Sequence, residues 1–280
     1  MAKAKVKVFT LQEQGSPRMF FYVPGVINDK YVVSMYPGFN CNPTDYAPVA
    51  RKFTEEGMIT VITDWHDGGE YSHEHTIETT YRSVDVLKRE IGRYQNVMGI
   101  GHSFGAERLL KAALLDRERR FTAITAVQPP DHLGKYTRNH NVLNFLSRVS
   151  GLNYIATLTM RAMHKNLGVR NHKDVGRLMK FIDDDTSLIS MIGESAQNMP
   201  PTLFICSRND PHVSYHDAIA ASEKLREKGV VVETAELYKL STDMTQDEMD
   251  GVADYSRSFF ERVARQSGSL RRRPNLNRKK

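Results

Sequence analysis

Residues 99–110 read GIGHSFGAERLL, and this stretch decides the fold. An apolar run, NVMGIGH (96–102), stops at Ser103, and Phe104 immediately opens a segment of small and apolar residues at helical spacing. A strand that turns into a helix within one residue needs a very tight turn. Gly101 and Gly105 flank the serine where close backbone leaves little room for a Cβ. The spacing predicts a helix over 104–116 that packs on a sheet through Ala106, Leu109, Leu110 and Ala113. The start of that helix offers backbone N–H groups and a positive dipole end to a developing anion. A plainer role for Ser103 is that of a helix cap.

Outward from this turn, apolar runs alternate with helical segments. Strands are predicted over 5–11, 19–25, 31–38, 58–65, 96–103, 121–127, 201–207 and 230–238. Helices are predicted over about 44–57, 76–92 and 104–116, with a last one carrying Met249, Val252, Phe259 and Val263. Asn42-Pro43-Thr44-Asp45 opens the first of these as a cap with proline in the first turn. The first two strands, joined by a Gly-Ser-Pro turn, read as antiparallel. The fold class is α/β, an eight-stranded mostly parallel sheet with flanking helices. Between strands six and seven, residues 131–199 show no strand pattern and are rich in Met and Leu, including Met160, Met163, Met179, Met191 and Met199. They read as a helical cap or lid. The expected organisation is a core of 1–130 and 200–266, the insertion 131–199, and a tail of 267–280.

At 280 residues the chain is long enough to bury a single sizeable core. No stretch reaches the run of about 18 apolar residues that a membrane helix needs. The lysines of MAKAKVKVFTLQ are not followed by an apolar region, so no secretory signal is expected. Cys41 and Cys206 give no disulfide framework and suit a reducing, cytoplasmic setting, most simply as small buried apolar residues. No His/Cys/Asp cluster has metal-ligand spacing, and Gly68-Gly69 lacks the spacing of a dinucleotide loop, so neither metal nor cofactor is expected. The net charge of +6 is local: Arg271, Arg272, Arg273, Arg278, Lys279 and Lys280 supply it, leaving residues 1–265 neutral. This run reads as a solvated end, or as a contact for nucleic acid or an anionic membrane surface.

The strand–turn–helix around Ser103 resembles that of the α/β-hydrolase family. YPGFN after strand three is similar to the family's oxyanion loop, with Pro37 in place of the usual histidine and Gly38 retained. DWHDGGEYS (64–72) resembles a Gly-rich stretch of the lipase, peptidase and esterase branches, and SRNDPHVS resembles the acid loop. The resemblance implies Ser103 as nucleophile and Asp210 as the acid, with backbone N–H groups of Phe39 and Phe104 holding the oxyanion. It implies a serine hydrolase acting on an ester, thioester or amide. A cap over an apolar pocket would favour a hydrophobic carboxylic ester.

One part of the pattern is missing. The family's histidine follows strand eight, whereas the last histidine here is His216. The corresponding loop, KLSTDMTQD (239–247), carries Thr242 near the expected position. Losing the triad histidine costs about 10⁶ in turnover in a serine protease with the same triad logic. His212, His132 and His66 lie in other loops that could supply an imidazole, although each also reads as an ordinary loop histidine. His102 is expected to point away from the catalytic face. Two readings stand: a serine hydrolase, or a non-catalytic relative serving as a binding or assembly component.

Overall fold

The computed structural model describes residues 6–13, 16–27, 31–38, 41–64, 73–91, 96–131, 186–210, 213–238, 240 and 244–266. The strands are β1 (Val6–Leu11), β2 (Arg18–Pro24), β3 (Val32–Tyr36), β4 (Thr60–Asp64), β5 (Val97–His102), β6 (Ala123–Val127), β7 (Thr202–Cys206) and β8 (Val232–Glu236). They form one sheet in the order β1-β2-β4-β3-β5-β6-β7-β8. β1 pairs antiparallel with β2, and β2 with β4; every other neighbouring pair is parallel. The described helices are α1 (Ala47–Glu55), α2 (His73–Ile91), α3 (Phe104–Leu115), α4 (Leu188–Ser195), α5 (Tyr215–Glu227) and α6 (Gln246–Gln266). A 3-10 turn, Pro43–Tyr46, leads into α1.

Both faces of the central strands are covered, which is why they read as continuous apolar runs rather than alternating ones. Successive residues still point to opposite faces. Val32 and Tyr36 of β3 join a core with Val84, Leu109 and Leu225 on the side of α2, α3 and α5. Val33 and Met35 join Phe53, Val252 and Phe259 on the side of α1 and α6. At the antiparallel edge the cover is thinner: Val8 and Phe9 of β1 are about half exposed, and Phe9 stacks on Phe21.

Helix α3 is more deeply buried than its sequence suggests. Its pattern is apolar on one side, yet Glu107, Arg108 and Lys111 are buried as well. They are tolerated because they are paired. Lys111 forms an ion pair with Glu107 and donates to the Thr186 carbonyl, and Arg108 Nε lies 3.6 Å from Glu107. The Arg108 guanidinium also sits 4.6 Å over the Phe104 ring. The described end of the expected insertion is part of this packing, with Leu188 and Ile192 of α4 in the core. Asp131 clamps the start of α4: its carboxylate accepts from Ser187 Oγ at 2.8 Å and from the Ile189 amide at 2.8 Å. Its carbonyl accepts from the Leu188 amide at 2.9 Å. Asp131 and the start of α4 are thus held side by side.

Candidate active site

Ser103, Gly38, Gln128 and Asp210 follow β5, β3, β6 and β7, so the parallel strands bring them to one edge of the sheet. From β3 the chain moves to β4 on one side, while from β5 it moves to β6 on the other. The ends of β3 and β5, at this switch in chain direction, are where open α/β sheets bind ligands, and Gly38 and Ser103 lie there.

Ser103 has φ 51° and ψ −123°, a conformation that L-residues rarely adopt. The surrounding backbone holds it there. Its N–H donates to the Val127 carbonyl at 2.8 Å, and its carbonyl accepts from the amides of Ala106 at 2.9 Å and Glu107 at 3.1 Å. The side chain makes no capping hydrogen bond to α3, so a helix-cap role does not explain the serine. Both glycines are required by close approach. A Cβ at Gly101 would lie 2.5 Å from Ala106 Cα, and one at Gly105 would lie 2.2 Å from the Tyr36 carbonyl oxygen and 2.3 Å from that of Pro37. Phe104, whose amide begins the helix, is fully buried.

The turn after β3 lies against this elbow. A Cβ at Gly38 would meet Cys41 Sγ and His102 Nδ1, each at 3.2 Å. The Gly38 amide donates to Tyr46 Oη at 3.0 Å, and Tyr46 Oη lies 2.5 Å from His102 Nδ1. Tyr46 is placed by its own cap: Asn42 Oδ1 accepts from the Thr44 amide at 3.2 Å, and Asp45 Oδ2 accepts from the Asn42 amide at 3.0 Å. His102 is 2% exposed, and burial pushes its imidazole down to about 4, with the Asp210 carboxylate pulling the other way. The ring is therefore neutral near pH 7. Burial likewise holds the Tyr46 phenol well above its ordinary range.

The loop after β7 is built differently. Gln128, at φ 47°, reaches across to β7: Ser207 N–H donates to its Oε1 at 2.8 Å, and its Nε2 donates to the Ser207 carbonyl at 3.3 Å. Ser207 Oγ accepts from the Asn209 amide at 3.1 Å, and Asn209 Nδ2 donates to the Tyr238 carbonyl at 2.7 Å. Asp210 follows, its Oδ1 accepting from the Val213 amide at 2.9 Å. Its charge acts on His102.

Sequence reasoning missed Tyr46 and Gln128; the only signal for Tyr46 was the Asn-Pro-Thr-Asp cap that places it. Phe39, His66, His132, His212, Thr242 and the basic run 271–280 lie outside the described residues. Among the described residues, no group of three or more His, Cys, Asp or Glu could hold a metal ion, and no helix is long and apolar enough to cross a membrane.

No protein-family model matches the sequence, and no curated protein does. Solved structures do. An esterase of Pyrococcus furiosus aligns over 93% of this chain and 92% of its own, with a TM-score of 0.68 and 14% identity. An esterase of Pyrobaculum calidifontis gives 0.63 at 18% identity, covering 93% of this chain and 86% of its own. Carboxyl esterase 2 of Tuber melanosporum gives 0.61 at 14%, covering 93% and 87%. The eight-stranded, mostly parallel sheet with its flanking helices agrees with these likenesses: the protein has the α/β-hydrolase fold.

Proposed function

We propose that the protein is a serine hydrolase that cleaves a carboxylic ester, with Ser103 as nucleophile. The conformation of Ser103 carries this reading. A strained serine, held by backbone and with its hydroxyl not used as a cap, sits at a sheet edge and a helix start. In the reaction Ser103 Oγ bonds to the acyl carbon and its proton passes through a base to the leaving alkoxide. Water then attacks the acyl-enzyme, releasing the acid and restoring the serine. The Phe104 and Phe39 amides would stabilise the oxyanion. Asp210 would orient the base, which His212, His132 or His66 would supply from a neighbouring loop. A hydrophobic acyl group is the expected substrate class, and the esterases of similar fold support the ester.

A fluorophosphonate probe tests this directly. The wild-type chain should label and Ser103→Ala should not, with ester turnover falling by about 10⁶. A wild-type chain that stays unlabelled at pH 7 to 10 would overturn the reading. That result would favour the second reading, a non-catalytic binding or assembly component. The loop 239–247, which holds no histidine, supports this alternative.

A further inference from the structure

We propose that the Tyr46 hydroxyl is a positioning group for Ser103, pinning the turn after β3 onto the residue that precedes the serine. One buried oxygen joins three parts of the chain. It accepts from the Gly38 amide, lies 2.5 Å from His102 Nδ1 and borders the Cys41 thiol. Pro37 has no N–H, so Gly38 is the first amide after β3 able to anchor the turn. Because the phenolic oxygen accepts from Gly38, its own proton can be donated to Nδ1 of the neutral His102 ring, whose single N–H then sits on Nε2. The ring contact, with centroids 5.8 Å apart, fixes the imidazole from the side.

The two partners of Tyr46 belong to the ends of two neighbouring strands, β3 and β5. The Tyr36 and Pro37 carbonyls press on Gly105 beyond the serine, and Gly38 presses on His102 before it. A shift of this turn therefore changes the surroundings of Ser103 from both sides. Removing the hydroxyl frees the Gly38 amide and leaves a buried imidazole nitrogen without its partner. Ser103 reactivity should then fall while ligand affinity stays the same.

The inference rests on the hydrolase reading for its kinetic arm alone, and amide exchange provides an independent arm. In the full-length chain, Tyr46→Phe keeps the ring and removes the hydroxyl. Exchange at the Gly38 amide should accelerate at least tenfold while amides of β5 keep their protection. The saturating rate of fluorophosphonate labelling should fall at least tenfold, with the half-saturating probe concentration unchanged. His102→Asn, which keeps an acceptor near the Nδ1 position, should retain wild-type Gly38 exchange, whereas His102→Leu should reproduce Tyr46→Phe. Unchanged Gly38 exchange in both Tyr46→Phe and His102→Leu overturns the proposal, as does an unchanged saturating labelling rate. If the wild-type chain never labels, the hydrolase reading fails by itself and exchange at Gly38 decides whether Tyr46 is the pin.

Discussion

Two neighbouring strands, β5 and β6, end in the same unusual way. Ser103 and Gln128 both have positive φ, 51° and 47°, although neither is glycine. Their side chains differ in what they do. The Gln128 amide is engaged through both its oxygen and its nitrogen, bonding both backbone groups of Ser207 and so tying β6 to the loop after β7. The Ser103 hydroxyl makes no capping bond, and only its backbone is held. One strained residue is a joint whose strain is offset by its own side chain. The other is strained by its neighbours and leaves its side chain available for chemistry. Strain alone is therefore not a functional signal; strain with an uncommitted side chain is.

The elbow should break most sharply where its neighbours touch it. In Gly105→Ala the new Cβ would collide with two backbone carbonyls rather than with a flexible side chain. Denaturant unfolding should show a loss of about 3 kcal/mol or more. Next in size is an acid effect at His102. Its unfolded pKa is 6.5, and burial holds the folded value near 4. The unfolded chain thus binds the proton first, so this stability is complete above pH 6.5 and is lost as pH falls towards 4. The loss should be about 3 kcal/mol. Compared between pH 7 and pH 4, unfolding of His102→Asn should fall less than the wild type by about that amount. An equal fall in both would show that His102 is not the group resisting protonation.

The smallest effects test the comparison most directly. Glycine relieves positive φ at either site. At Gln128 it also removes two buried hydrogen bonds, so Gln128→Gly should cost about 2 kcal/mol net. At Ser103 no capping bond is lost, so Ser103→Gly should stabilise the protein by about 1 kcal/mol while abolishing labelling. Thermal unfolding of the pair should show shifts of opposite sign. Shifts of the same sign would mean that the two turns are built alike.

These two turns also show what the sequence made legible. The elbow could be read because its requirements are local: two glycines, a serine and a small-residue helix within a few positions of one another. The parallel sheet could be read because its central strands, buried on both faces, are mostly apolar. Gln128 and Tyr46 could not be read, since each acts on residues distant in the chain and neither residue type marks a special role by itself. Tyr46 meets His102 across 56 positions, and Gln128 meets Ser207 across 79. The buried Glu107–Lys111 pair was hidden for the same reason, because the Thr186 carbonyl that completes it comes from 75 residues away.

The clamp of Asp131 on Ser187, Leu188 and Ile189 has a consequence for how such a chain can change over time. The core closes its own doorway, so the sheet order does not depend on how much polypeptide is threaded between 131 and 186. Once the two doorposts are fixed, doubling the length of that interval costs only about 0.6 kcal/mol in closure entropy. A lineage carrying this core could lengthen, shorten or exchange that interval without redesigning the sheet that holds the serine in place.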